Sequence, residues 1–202
     1  MRFTVICLAS FLLFAGIVFS IFPGISLVSP VREIVQVSPI ATPASSPIVV
    51  QEKPTTLLIP TLNISAEVEY VGLDNERRMD IPKAWENVAW YERGPVPGET
   101  GSAVIAGHLD SPTGPAVFYS LAKLKPGDSI IVQTKQGKEL EFVVELVEQY
   151  KDAQFPISEV FSSSDGEKRL NLITCAGTFS QLSRRYSDRL VVFTVLKEIA
   201  EG

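Results

Sequence analysis

The sequence predicts a mainly β protein, a closed or nearly closed barrel, behind an apolar N-terminal segment long enough to cross a bilayer. Three observations carry this expectation. Short β-branched and apolar runs recur between 56 and 196, separated by turn-forming stretches such as Lys125-Pro126-Gly127-Asp128. Helical periodicity is scarce, confined to short stretches at 117–121 and 157–161. Residues 3–22 are nearly unbroken in apolar character, with Ser10 and Ser20 the most polar interruptions. Many short strands with little helix favour closure, because a closed sheet leaves no exposed edge.

Residues 1–22 read as an uncleaved transmembrane anchor, since roughly 20 apolar residues span a bilayer as a helix. A cleaved secretory signal is the competing reading, but Ser20-Ile21-Phe22 makes a poor cleavage site. Arg2 and the amino terminus on the short side point to an N-inside orientation, and either reading exports the remainder of the chain. The expectation is a single-pass protein of the cell membrane whose folded part is extracytoplasmic. Cys7, inside the span, is a packing or lipid-facing residue. Residues 23–54 carry Pro30, Pro39, Pro43, Pro47 and Pro54 with no helical face, an extended linker that holds the folded part some distance from the bilayer. The folded domain takes 55–202. Its strand candidates are 56–59, 66–71, 102–106, 129–134, 140–147, 170–174 and 190–196; in the second, Glu67 and Glu69 alternate with Val68 and Tyr70, as on a sheet with one wet face.

A chain of 202 residues suits one domain with appendages, by default a monomer. The net charge of −5, with no Lys/Arg cluster, argues against a nucleic-acid partner. One of the two cysteines lies in the apolar segment and the other in the domain, so no disulfide is expected. A single histidine, one cysteine in the domain and scattered acids give no ligand spacing for zinc, and no loop concentrates acids for calcium. No metal and no cofactor are therefore expected.

The chemistry-bearing residues stand at the ends of predicted strands. Cys175 follows Leu172-Ile173-Thr174, His108 follows Ala103-Val104-Ile105-Ala106-Gly107, and Arg189 precedes Leu190-Val191-Val192-Phe193. Singly, each has an ordinary structural role: a small core thiol, a turn imidazole, a solvated edge charge. Together they supply a nucleophile, a proton-transfer group and a fixed-charge donor for an oxyanion, groups that are distant in sequence and near in space. Arg184 and Arg185 rival Arg189 but sit in the turn before it. Asp110 either completes a Cys-His-Asp triad or caps the turn with Ser111 and Pro112. Trp85, Trp90 and Tyr91 line a groove or pack the core. The connection 151–169 is long for a barrel, and long loops are often functional.

These residues resemble the signature of the sortases, the cysteine transpeptidases of bacterial surfaces. The resemblance covers about 57–196: Thr174-Cys175, Gly107-His108 after an apolar strand, and Arg189 heading its strand. Ile59-Pro60 with Asn63-Ile64, Val71-Gly72-Leu73-Asp74, Trp90-Tyr91 with Gly94-Pro95 and Pro97-Gly98-Glu99, and Gly114-Pro115-Ala116-Val117-Phe118 are most similar to the class F and class E branches. Asn171 departs from the threonine of many members, at a position that touches packing more than chemistry.

The resemblance implies a closed sortase-type barrel of about eight strands. It implies that Cys175 attacks a backbone carbonyl in the C-terminal sorting signal of a secreted protein, that His108 transfers protons and that Arg189 stabilises the oxyanion. The acceptor is an amine of peptidoglycan or of a lipid-linked precursor. Thr174, Phe155, Ile157, Val160 and Phe161 are the implied substrate-binding residues, Thr174 alternatively satisfying only its strand. A hydrolase of the same fold and a non-catalytic surface binding module are the other classes.

Overall fold

Alternating burial sets the first strands of the computed structural model, which describes residues 52–197. β1 (Pro54–Ile59) and β2 (Ile64–Val71) turn Leu57, Ile59, Ala66 and Val68 into the interior. β3 (Val88–Tyr91), β4 (Gly101–Gly107), β7 (Ser129–Thr134), β8 (Glu139–Lys151), β9 (Lys168–Ser180) and β10 (Arg185–Leu196) complete a closed barrel in the order β1-β2-β3-β4-β9-β10-β8-β7. β5 (Asp110–Ser111) and β6 (Gly114–Pro115) form a small hairpin outside it. One helical turn, α1 (Ile157–Phe161), covers the outer face, where Val160 packs with Val104, Ile173, Val191 and Phe193.

The eight-stranded closure agrees with the expected fold, and the differences from the sequence reading have local causes. β3 was not anticipated; of the two readings open for its Trp90, groove or core, the structure gives the core, where the side chain is buried and its indole N–H donates to the Pro95 carbonyl at 3.1 Å. No helix forms over 117–121, because the Val117 N–H donates to the Trp85 carbonyl and the Phe118 N–H to the His108 carbonyl; a short 3-10 turn comes next at Leu121–Lys123. The fold also begins before residue 55. Pro54 opens β1, and the Glu52 carboxylate accepts from Thr134 Oγ1 at 2.9 Å and the Gln136 N–H at 3.0 Å. The expected anchor over 1–22 and most of the linker lie outside the described residues. Among the described residues, no helix is long and apolar enough to cross a membrane.

β4 and β9 run parallel, with Ala106 opposite Ile173 as their last paired rung. Parallel pairing brings the C-terminal ends of two strands to one end of the barrel, and that places the site.

Candidate functional site

Two residues beyond the last rung stand His108 on one chain segment and Cys175 on the other. Across the next ladder, Cys175 pairs directly with Arg189 of β10. Directly opposed residues project from the same face of a sheet, with Cβ atoms about 5 Å apart. Three neighbouring segments thus present imidazole, thiol and guanidinium in one row. Cys175 and Arg189 lie inside their strands, not at the ends the sequence suggested. The β9–β10 hairpin continues past them because Gly177, at a φ of +78°, makes a bulge, and the Thr178 N–H donates to Ser187 Oγ at 3.0 Å beyond it. A Cβ at Gly177 would come within 2.3 Å of that oxygen, so only glycine fits. Arg184 sits in the hairpin turn, whereas Arg185 opens β10.

His108 is held by its neighbours through both backbone and ring. Thr174 is buried and donates from Oγ1 to the Gly107 carbonyl at 2.9 Å, tying the end of β4 to β9. The Phe118 N–H donates to the His108 carbonyl at 2.9 Å, and the Phe118 ring lies so close that a Cβ on Gly107 would meet it at 2.4 Å. The imidazole Nε2 is 2.9 Å from the Pro82 carbonyl oxygen, and the Trp85 ring packs on the imidazole at a centroid distance of 4.4 Å.

Arg189 is held differently. Its Nη2 is 3.2 Å from Asp152 Oδ1, and Nη1 donates to the Asp188 carbonyl at 2.9 Å. Arg185 reaches the same Asp152 carboxylate at 3.8 Å. Burial pushes the Cys175 thiol above its ordinary value; Arg189 pulls it down, and Asp110 and Asp152 raise it further. Asp110 accepts a hydrogen bond from Tyr186 Oη, and none from His108 among the described residues. That bond and burial push the Tyr186 phenol up to about 12.

A groove of about 760 Å³ opens over the row. One wall is the β2–β3 connection, 72–87, folded on itself by a Leu73–Met79 bridge and by the Asp74 carboxylate, which accepts from the Glu76 and Arg78 N–H groups. The other is the β8–β9 connection, which contributes Asp152, Phe155, Ile157 and Phe161. Ile157 is 67 % exposed, an apolar side chain free to meet a ligand. Val160, expected beside them, is 0 % exposed and has no surface to offer. Its carbonyl accepts from Asn171 Nδ2 at 2.7 Å, so Asn171 clamps α1 to β9, while its own Oδ1 has no partner among the described residues. Thr174 reaches the groove floor with its hydroxyl already committed to Gly107.

Pro82 and Asp152 were not legible as site residues. A carbonyl leaves no sequence signal, and a lone aspartate in a loop resembles any solvated charge. Among the described residues no three His, Cys, Asp or Glu side chains group to hold a metal ion.

No curated protein matches the chain. Among solved structures, sortase C from Clostridium perfringens SM101 shares the fold at 21 % identity with a TM-score of 0.54, covering 72 % of this chain and 70 % of that one. Sortase C-1 from Actinomyces oris does so at 22 % and 0.56, over 71 % and 73 %. Sortase C1 from Streptococcus agalactiae, in its complex with MTSET, does so at 22 % and 0.55, over 75 % and 70 %. Residues 57–197, nearly the whole barrel, match the sortase domain, and the chain belongs to that family of cysteine transpeptidases.

Proposed function

We propose that this sortase is a membrane-anchored transpeptidase that cleaves an LPxTG-like C-terminal sorting signal of secreted proteins and joins them to a cell-wall amine. The row His108, Cys175 and Arg189, lining one groove, carries the reading. The sequence motifs extend it to the class F and class E branches. The apolar residues 1–22 extend it to a single-pass anchor with the barrel outside the cytoplasm. The acceptor is a peptidoglycan or lipid-linked precursor amine.

In this mechanism the Cys175 thiol gives its proton to His108 and attacks the scissile carbonyl carbon. The carbonyl π pair moves onto oxygen, where remaining Arg189 N–H groups stabilise it. Collapse breaks the C–N bond, His108 protonates the leaving amine, and a thioester on Cys175 remains. The incoming amine attacks that thioester and gives its proton to His108, and the C–S bond breaks as the new amide forms. Phe155, Ile157 and Phe161 supply apolar wall for the sorting signal.

The test is mass spectrometry of the detergent-solubilised full chain mixed with an LPxTG-like peptide, with and without an added amine. A thioester on Cys175 and amine-dependent ligation are expected, with Cys175→Ala lowering turnover on the order of ten-thousand-fold or more. Acid product alone selects the hydrolase. No adduct, with Cys175 inert to a methanethiosulfonate, selects the binding module.

A further inference from the structure

His108 is the chain's only histidine, and its ring makes a single hydrogen bond among the described residues, between Nε2 and the Pro82 carbonyl. A carbonyl oxygen has no proton to give, so Nε2 is the donor and carries hydrogen. A neutral imidazole holds one N–H, which leaves the lone pair on Nδ1. The Trp85 ring, tilted 51° against the imidazole, resists the flip that would exchange the two nitrogens.

Pro82 and Trp85 belong to one turn of the β2–β3 connection, and that turn is clamped. On β2, the Glu69 carboxylate accepts the N–H groups of Lys83 at 2.9 Å and Ala84 at 3.1 Å, and the Asn87 side-chain amide at 3.1 Å. The Trp85 carbonyl accepts from Val117, next to the Phe118 that holds the His108 backbone. Barrel, turn and imidazole are thus linked from Glu69 to His108 by hydrogen bonds and one ring contact. Asp110, the carboxylate nearest in sequence, is engaged with Tyr186 instead.

We propose that this turn does for His108 what an acidic third residue does in a triad: Pro82, Trp85 and Glu69 are positioning residues that fix the Nε2–H tautomer. Nδ1 is then the nitrogen that exchanges protons. It gives its proton to the leaving amine as the C–N bond breaks, and takes one from the incoming amine as the new amide forms. The destination of the proton rests on the transpeptidase reading; the tautomer does not.

The single histidine makes the test direct. In the detergent-solubilised full chain labelled with 15N-histidine, ring nitrogen shifts are tracked across the imidazole titration. Above it, Nε2 is expected to show the protonated signature and Nδ1 the lone-pair one. The reverse pattern, or an even average, overturns the proposal whether or not peptide transfer is detected. Trp85 and Glu69 are both partly exposed, and Trp85→Ala and Glu69→Gln are expected to mix the tautomers. They are expected to lower kcat for transfer about tenfold, part of the larger contribution of a placed acid–base group, with KM for the peptide little changed. If both variants keep the wild-type tautomer and kcat, the turn is merely structural and the proposal fails.

Discussion

The two walls of the groove hold His108 and Arg189 by opposite kinds of contact. The β2–β3 wall meets His108 with neutral groups, the Pro82 carbonyl and the Trp85 ring. The β8–β9 wall meets Arg189 with the Asp152 carboxylate. A guanidinium keeps its charge at every working pH, so an ion pair orients it without altering its chemistry. An imidazole in the proposed mechanism must gain and lose a proton in each turnover, and a neutral acceptor orients it without pairing it to a fixed charge. The difference teaches that charge is used where charge is constant, and withheld where it must change. Asp152 also opens the connection that carries Phe155, Ile157 and Phe161, so the wall that would read the substrate's apolar side chains also holds the proposed oxyanion donor.

The comparison breaks first at Arg189. Arg189→Ala is expected to slow thioester formation by about 100- to 1000-fold in single-turnover assays, as for loss of an oxyanion donor. A loss under tenfold would move that role to Arg185. Asp152→Asn comes next, at about tenfold, because it keeps an acceptor for Arg189 and removes the charge that roughly doubles the strength of the bond. The two variants have opposite effects on the thiol. Arg189 lowers the Cys175 pKa and Asp152 raises it. Arg189→Ala therefore shifts the pH profile of Cys175 alkylation to higher pH, and Asp152→Asn shifts it to lower pH, with faster alkylation near neutrality. Shifts of the same sign in both would show that the ion pair acts on the thiol through its geometry rather than its charges.

The barrel and the row were legible in the sequence because both rest on side-chain pattern. Strands of alternating or continuous apolar character announce themselves, and so does a thiol that follows an apolar run. Even the five-residue α1 was visible, at the bounds the structure gives it. What escaped was whatever depends on backbone groups or on pairing partners distant in the chain. β3 is only four residues long, and its pairing with β2 is parallel across a long connection. The extension of β9 and β10 past the site depends on one glycine bulge among polar residues that read as turn. Val160 and Phe161 are adjacent in sequence and equally apolar; only the placement of α1 turns one inward and leaves the other on the groove.

Asp110 gives the smallest and most discriminating change. Two residues after His108, it is where sequence alone would seek a third catalytic member, and loss of such a member costs on the order of ten-thousand-fold. In the structure its carboxylate accepts from Tyr186 and bridges the β5–β6 hairpin to β10, while the imidazole turns to Pro82. Asp110→Asn should therefore lower transfer by less than about tenfold, since the amide retains an acceptor for the Tyr186 hydroxyl and only the charge is lost. Because Asp110 raises the Cys175 thiol, the alkylation profile should move to lower pH, the same direction as Asp152→Asn. The histidine tautomer should not move at all. A collapse of activity with a changed tautomer would make Asp110 the partner of His108 during turnover, and the two walls would then hold their groups by the same ionic means.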